Sequence, residues 1–171
     1  MKEKIPFYNI VNMFFVGAIF SIAVTLMCAE KISIKQEYID VAREWSFLVS
    51  AFLIIVMYEI GLIINRAASV LIEGFLVKTK IWEKNDYDID VSEISEKNHK
   101  FQSMITELNL MRSHILLYLI LAILAVVLGR YWLAFIYVSL IFVFVFGGKK
   151  HNTKINKIRK AYYERSVKEE P

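Results

Sequence analysis

Four apolar blocks separated by charged segments are the feature that most constrains this chain. The blocks occupy residues 6–29, 46–65, 115–128 and 131–147. Hydrophobic residues make up 57% of the sequence and its mean hydropathy is +0.46, whereas about 45–50% is usual in soluble domains. About 20 helical residues cross the roughly 30 Å hydrocarbon core of a bilayer. We therefore predict an all-α integral membrane protein with four transmembrane helices.

The first and third apolar blocks each have an alternative interpretation. The first block is too long for the roughly 7–15-residue core of a cleaved signal, and bulky Met27 precedes Cys28 where a lipoprotein signal needs a small residue, so we predict an uncleaved span. The third block is short. We predict that its span, 114–128, continues from a helix that carries Arg112 into the headgroup layer. A shallow re-entrant hairpin is the alternative.

The distribution of lysine and arginine predicts the orientation. Residues 1–5, 66–113 and 148–171 carry 17 basic residues, whereas residues 30–45 and the turn at Arg130 carry four. Basic residues concentrate on the cytoplasmic side of membrane proteins. We therefore predict a multi-pass protein of the bacterial inner membrane with both termini in the cytoplasm.

Residues 66–113 are predicted to extend the second and third spans into the cytoplasm as an antiparallel helical hairpin. No proline interrupts residues 67–77, so the second helix should continue past the membrane. Charges of alternating sign recur along it at every seventh residue: Glu59, Arg66, Glu73 and Lys80. Such a stripe lies on one side of a helix. It is either an ordinary solvated face or part of a functional surface.

An acidic turn after Trp82 is predicted to join the two helices of the hairpin. Its alternating aspartates suggest a calcium loop, but Val91 stands where that loop needs glycine and Lys97 where it needs glutamate. Asp90 and Glu93 instead have the spacing of a capping box, which predicts a helix start.

Once Lys97 is counted, the apolar residues of the next helix fall at alternating spacings of three and four, which is typical of a helix-packing seam. Its members are Ile94, Phe101, Met104, Leu108 and Met111. We predict that this seam docks either a second copy of the chain or a separate soluble cytoplasmic protein.

The C-terminal tail is basic and has apolar residues at helical spacing. Its cations include Lys149, Lys150, Lys154, Lys157, Arg159 and Lys160. Such a tail can lie on anionic lipid or bind a partner helix. No nucleic-acid-binding motif accompanies it, so we expect no direct contact with nucleic acid.

Ionisable groups within spans are costly and are functional candidates by default. Glu59 and Asn12 lie at nearly the same depth, and Arg112 and His114 enter from the cytoplasmic end of the third span. The four can converge into one intramembrane polar cluster near the inner leaflet. The cluster is either a structural set of hydrogen bonds or a gate or sensor in an oligomer. Gly17, Ser21 and Thr25 form a small-residue face that permits close helix packing.

The sequence contains no recognisable catalytic machinery. It has no glycine-rich phosphate loop, its three histidines lack metal-ligand spacing, and no nucleophile has a partnered base. We therefore predict a protein that is not an enzyme and that has no cofactor or metal. Two functions remain: a homo-oligomeric membrane anchor or sensor that holds a soluble partner, and a small pore former that opens on a signal.

The stretch Tyr58 to Glu73, YEIGLIINRAASVLIE, looks like a segment of small bacterial membrane proteins. Together with the four-span layout, it resembles the membrane subunit of the Kiwa anti-phage system. The resemblance implies a membrane-embedded homotetramer that senses phage attack at the envelope and holds a soluble, DNA-binding effector.

Overall fold

The computed structural model describes residues 7–29, 36–84, 94 and 99–169, and the regular structure in these ranges is helical. Four helices are long and apolar enough to cross a membrane, which confirms the predicted all-helical class and agrees with the predicted number of spans. A short helix, α2, lies between the first two long ones and was not predicted. The elements are α1 (Phe7–Cys28), α2 (Gln36–Glu44), α3 (Ser46–Lys78), α4 (His99–Val127) and α5 (Tyr131–Glu169).

Three of the long helices, α3, α4 and α5, each contain an apolar part and a polar part without a break between them. Two of them are much longer than a span. α3 has 33 residues and α5 has 39, so at 1.5 Å per residue they are about 50 and 58 Å long. Both exceed the roughly 30 Å of a hydrocarbon core. The apolar block 131–147 and the basic tail therefore belong to one helix, and the second apolar block and residues 66–78 belong to another.

The long helices pack as two pairs, α1 with α3 and α4 with α5, and α3 also packs on α4. α3 buries one stripe of residues at spacings of three and four: Gly61, Ile64, Ala68, Ile72 and Leu76. α1 meets this helix where Gly17 faces the Met57 carbonyl and Gly61 faces the Met13 carbonyl. The two backbones are so close there that neither glycine has room for a Cβ.

The C-terminal ends of α4 and α3 have the same hydrogen-bond pattern. After α4, Gly129 has a φ of +72°, and the Arg130 N–H donates to the Ala125 carbonyl at 2.8 Å. After α3, Lys80 has a φ of +57°, and the Ile81 N–H donates to the Leu76 carbonyl at 3.0 Å. This left-handed cap usually takes glycine, so Lys80 is the unusual residue.

Part of the predicted hairpin lies outside the described residues. The turn at residues 85–93, including the Asp90 and Glu93 capping box, is not described, and neither are residues 1–6 and 30–35. The polar ends of α3, α4 and α5 are described, and they pack on one another. We call residues 73–84, 100–112 and 148–165 the polar bundle.

Candidate functional site

The first polar site is a small cavity between α1, α3 and α4, with a volume of about 50 Å³. Asn12 and Asn65 line it from α1 and α3, and Asn109 and Ser113 line it from α4. The Ser113 hydroxyl oxygen lies 2.7 Å from Asn65 Oδ1 and 3.0 Å from the Asn109 carbonyl oxygen. A polar cavity of this size has room for an ordered water, and the polar side chains of three helices meet in it.

The second polar site is an ion pair between α3 and α4. The Arg112 guanidinium donates to Glu73 through Nη1 and to Asn109 Oδ1 through Nη2, the latter at 2.9 Å. The Arg112 side chain is 11% exposed and that of Glu73 is 47% exposed. Arg112 is therefore the buried partner, and its charge depends on Glu73 and Asn109 for compensation.

Arg159 brings a second cation to the same place from α5. It lines a cavity of about 120 Å³ together with Glu73, Arg112 and Glu83. Burial lowers the pKa of the Arg159 guanidinium, and the Glu73 carboxylate opposes that shift. Glu73 is paired with Arg112 and lies in the same cavity as Arg159, so charged groups from α3, α4 and α5 meet in the polar bundle.

The four residues of the predicted polar cluster do not come together. Asn12 lies in the asparagine cavity, Arg112 pairs with Glu73, and Glu59 is exposed on the surface of α3. His114 is buried between α4 and α5. The prediction matched depth along the helices, but depth does not fix which side of a helix a residue occupies.

His114 is a packing residue in the structure. Its ring stacks on Phe144 with centroids 4.8 Å apart and an interplanar angle of 13°. Its Nδ1 lies 2.9 Å from the Leu110 carbonyl oxygen, so the proton sits on Nδ1 and is donated to the helix backbone. The side chain therefore joins α4 to α5.

The four residues of the charged stripe also lie in different environments. Arg66 is exposed like Glu59, whereas Glu73 faces Arg112. Lys80 lies beyond the end of α3, in the left-handed cap. The stripe therefore does not continue as one helical face to its fourth member.

The predicted docking seam is covered by the chain's own C-terminal helix. Ile94, Phe101 and Met104 are buried in a cluster with Ile155, and Leu108, Ile158 and Tyr162 pack against that cluster. Met111 lies beside Gly147 of α5. A partner that docks on this chain would therefore have to use another surface or displace α5.

Two residues after α3, which sequence reasoning had not selected, attach this end of the chain to α5. Trp82 is 2% exposed, its Nε1–H points to the Val145 carbonyl at 3.4 Å, and its ring lies against Gly148. The Glu83 N–H donates to Asn152 Oδ1 at 2.8 Å. The sequence signal for this contact was a large aromatic residue, Trp82, together with two adjacent glycines far along the chain, Gly147 and Gly148, that leave room for its ring.

The cations of the basic tail differ in exposure. Lys149, Lys150, Lys154, Lys157 and Lys160 are exposed, and Arg159 is half-buried. Among the described residues, no group of three or more potential metal ligands is close enough to hold an ion.

Comparisons with protein families, curated proteins and solved structures find no match. None of them identifies the chain as a Kiwa component. The fold defines the class, an all-helical protein with four helices of membrane-spanning length.

Proposed function

We propose that the chain is a homo-oligomeric membrane platform that assembles through the exposed face of α3 and presents the polar bundle to a soluble cytoplasmic partner. The observation that carries the proposal is the exposure of Glu59 on α3. In a single inserted copy this carboxylate would face lipid, which is costly for a charged group. A second copy packed on the same face removes it from lipid.

The neighbouring surface of α3 supports this assignment. Ile63 is 65% exposed, Val70 is 75% exposed, and Arg66 lies between them on the same side. This face continues past the apolar block toward the polar bundle. Contacts between copies along it would link the membrane part of the platform to its polar part.

The polar bundle supports a docking role because it is a folded unit. Glu83 and the tail are joined by a hydrogen bond from the Thr153 hydroxyl to Glu83 Oε1 at 3.0 Å, and the seam cluster fills the space between α4 and α5. A partner that docks there would meet the exposed lysines of α5. An acidic surface on that partner fits them best.

The most specific form of the proposal follows from the Kiwa resemblance. It gives a homotetramer in the bacterial inner membrane, with both termini cytoplasmic, that responds to phage attack and holds a soluble effector. Expression with the products of adjoining genes tests this form. A soluble neighbour that co-purifies, and phage protection that needs both proteins, would support it.

Cysteine cross-linking in native membranes tests the oligomer. In a Cys28→Ser background, Ile63→Cys should form a disulfide-linked dimer on mild oxidation. Ile64→Cys, at an adjacent but buried position (5% exposed), and Phe135→Cys, exposed on α5, should not. No dimer from Ile63→Cys, or equal cross-linking from Phe135→Cys, would argue against assembly through α3.

A pore is the second candidate, and the same carboxylate favours it. Copies arranged around an axis would place a ring of Glu59 side chains in the membrane, and acidic rings are typical of cation pathways. Potassium flux from liposomes tests this. Flux that Glu59→Gln abolishes, from protein that binds no partner, would replace the platform proposal with the pore.

A further inference from the structure

The short helix α2 separates its apolar residues from its polar residues more strongly than any of the four long helices does. Successive residues of a helix are rotated by about 100°, so the sequence QEYIDVARE has two sides. The apolar side carries Tyr38, Val41 and Ala42, and Trp45 continues it. The polar side carries Gln36, Asp40, Arg43 and Glu44. Such a pattern is typical of a helix that lies at a boundary between an apolar and an aqueous phase.

α2 is joined to α3 through Trp45 alone. The backbone of Trp45 has a φ of −101° and a ψ of 26°, which is not a helical conformation. Its carbonyl accepts the first hydrogen bond of α3, from the Val49 N–H at 2.9 Å. α2 and α3 are therefore two helices, and the chain can change direction at Trp45.

The surface at this junction is apolar and exposed. Trp45 is 57% exposed, and Phe47 and Leu48, the next apolar residues along the chain, are 82% and 55% exposed. In an inserted chain, Phe47 and Leu48 face lipid at the start of α3. The lipid-facing surface of α3 therefore continues through Trp45 to α2.

Exposed aromatic residues mark the same end of the molecule on α5. Tyr131 and Trp132, its first two residues, are 70% and 65% exposed. α3 and α5 both run toward the polar bundle, so both begin at the opposite end. Tryptophan and tyrosine are enriched where a membrane meets water. The aromatic residues of α5 and Trp45 therefore place a membrane surface at the junction of α2 and α3.

The polar side of α2 is suited to water. Gln36, Asp40, Arg43 and Glu44 are exposed, and Gln36 Nε2 donates a hydrogen bond to Asp40 Oδ1 at 3.3 Å within the helix. α2 carries three carboxylates and one cation, Arg43. Anionic headgroups therefore do not attract it, and burial of its apolar side is the force that can hold it at a membrane.

We propose that α2 lies along the membrane surface, with its apolar side in the lipid headgroup region, at the end of the molecule opposite the polar bundle. The partner of this side is the lipid surface itself. With Trp45 held there, Glu59 lies about 21 Å further along α3, which is within the roughly 30 Å hydrocarbon core. The proposal requires insertion of the long helices, but it requires neither the proposed oligomer nor the soluble partner.

Spin labels on single cysteines of the full chain test this placement. The protein is reconstituted in phosphatidylcholine nanodiscs in a Cys28→Ser background. Access of each label to oxygen, which concentrates in lipid, and to a nickel chelate, which stays in water, gives the depth of the label. A label at Phe142, 58% exposed on α5, reports that the long helices are inserted. The other labels replace two residues on each side of α2: Tyr38 and Ala42, and Asp40 and Glu44.

We expect the labels on the apolar side to lie about 5–10 Å below the phosphates and those on the polar side to lie in water. Added salt should not change these depths, because charge does not hold the helix. If α2 projected into water, the labels at Tyr38 and Asp40 would be equally open to the nickel chelate. If a second copy covered the apolar side, its labels would be shielded from both reagents. Either pattern would overturn the proposal.

Two aspartate substitutions give a matched comparison, measured through the label at Ala42. Val41→Asp places a charge on the apolar side and should move the label outward by about 5 Å or more, into water. Arg43→Asp changes the polar side and should leave the label where it is. The Phe142 label should stay in lipid in both variants. Equal depths of the Ala42 label in the two variants would contradict the proposal, and if Val41→Asp prevents insertion, the pattern of the four α2 labels decides.

Discussion

The crossing of α1 and α3 gives the sharpest test of the fold. A Cβ built on Gly61 would overlap the Met13 carbonyl and lie 3.1 Å from the Gly17 nitrogen, and one built on Gly17 would lie 2.9 Å from the Gly61 nitrogen. The atoms in the way are backbone atoms, which cannot rotate aside. Gly61→Ala should therefore force the two helices apart.

The size of the effect follows from two opposing terms. Overpacking costs about 1–3 kcal/mol, and more where the neighbour cannot relax, while alanine gains about 1 kcal/mol over glycine within a helix. We expect Gly61→Ala to lower the free energy of unfolding by about 2 kcal/mol. Gly74→Ala, in the same helix with open space around it, should raise it by about 0.5–1 kcal/mol.

Unfolding in mixed micelles titrated with sodium dodecyl sulfate, followed by tryptophan fluorescence, measures both variants. A double variant of Gly17 and Gly61 adds a second criterion. Once one alanine has separated the helices, the second should cost much less, so the effects should not add. If Gly61→Ala is as stable as Gly74→Ala, the backbones are not in contact and this helix pairing is wrong.

Two further contacts can be tested in the same assay. Gly148→Ala should lower the free energy of unfolding by about 1–3 kcal/mol, because its new methyl group meets the buried Trp82 ring, whereas Gly147→Ala makes ordinary contacts and should be neutral or stabilising. Glu73→Gln should cost about 1–2 kcal/mol, because buried Arg112 loses its carboxylate, and Arg112→Met should cost less, because it removes the charge itself. Equal effects within either pair would contradict the packing described for it.

The four long apolar helices could be predicted from the sequence because their signal is local. A run of apolar residues and the absence of proline are enough to predict that α3 continues from Ser46 beyond Arg66, and the structure has this helix as one piece. The crossing point of α1 and α3 could not be predicted in the same way. Gly17 was recognised with the small residues Ser21 and Thr25, but its counterpart, Gly61, has no such neighbours four residues away.

The docking seam shows a different limit. Spacings of three and four residues indicate which side of α4 is buried, and Phe101 and Met104 are indeed buried. The spacings do not indicate which part of the chain covers that side. The covering residues, including Ile155 and Ile158, were visible in the tail at helical spacing, but pairing two helices 50 residues apart requires knowledge of the intervening turns.

Within the charged stripe of α3, Glu73 has an ion-pair partner in the same chain, whereas Glu59 and Arg66 are exposed. A straight α-helix drifts by about 20° for every seven residues, so Glu73 is rotated by about 40° from Glu59. That drift accounts for Glu73 facing Arg112 while Glu59 and Arg66 stay exposed. The long side chain of Arg66 can reach the membrane surface, whereas Glu59 lies about 10 Å deeper. Of these charges, Glu59 is therefore the one that the second copy in the proposed oligomer would remove from lipid.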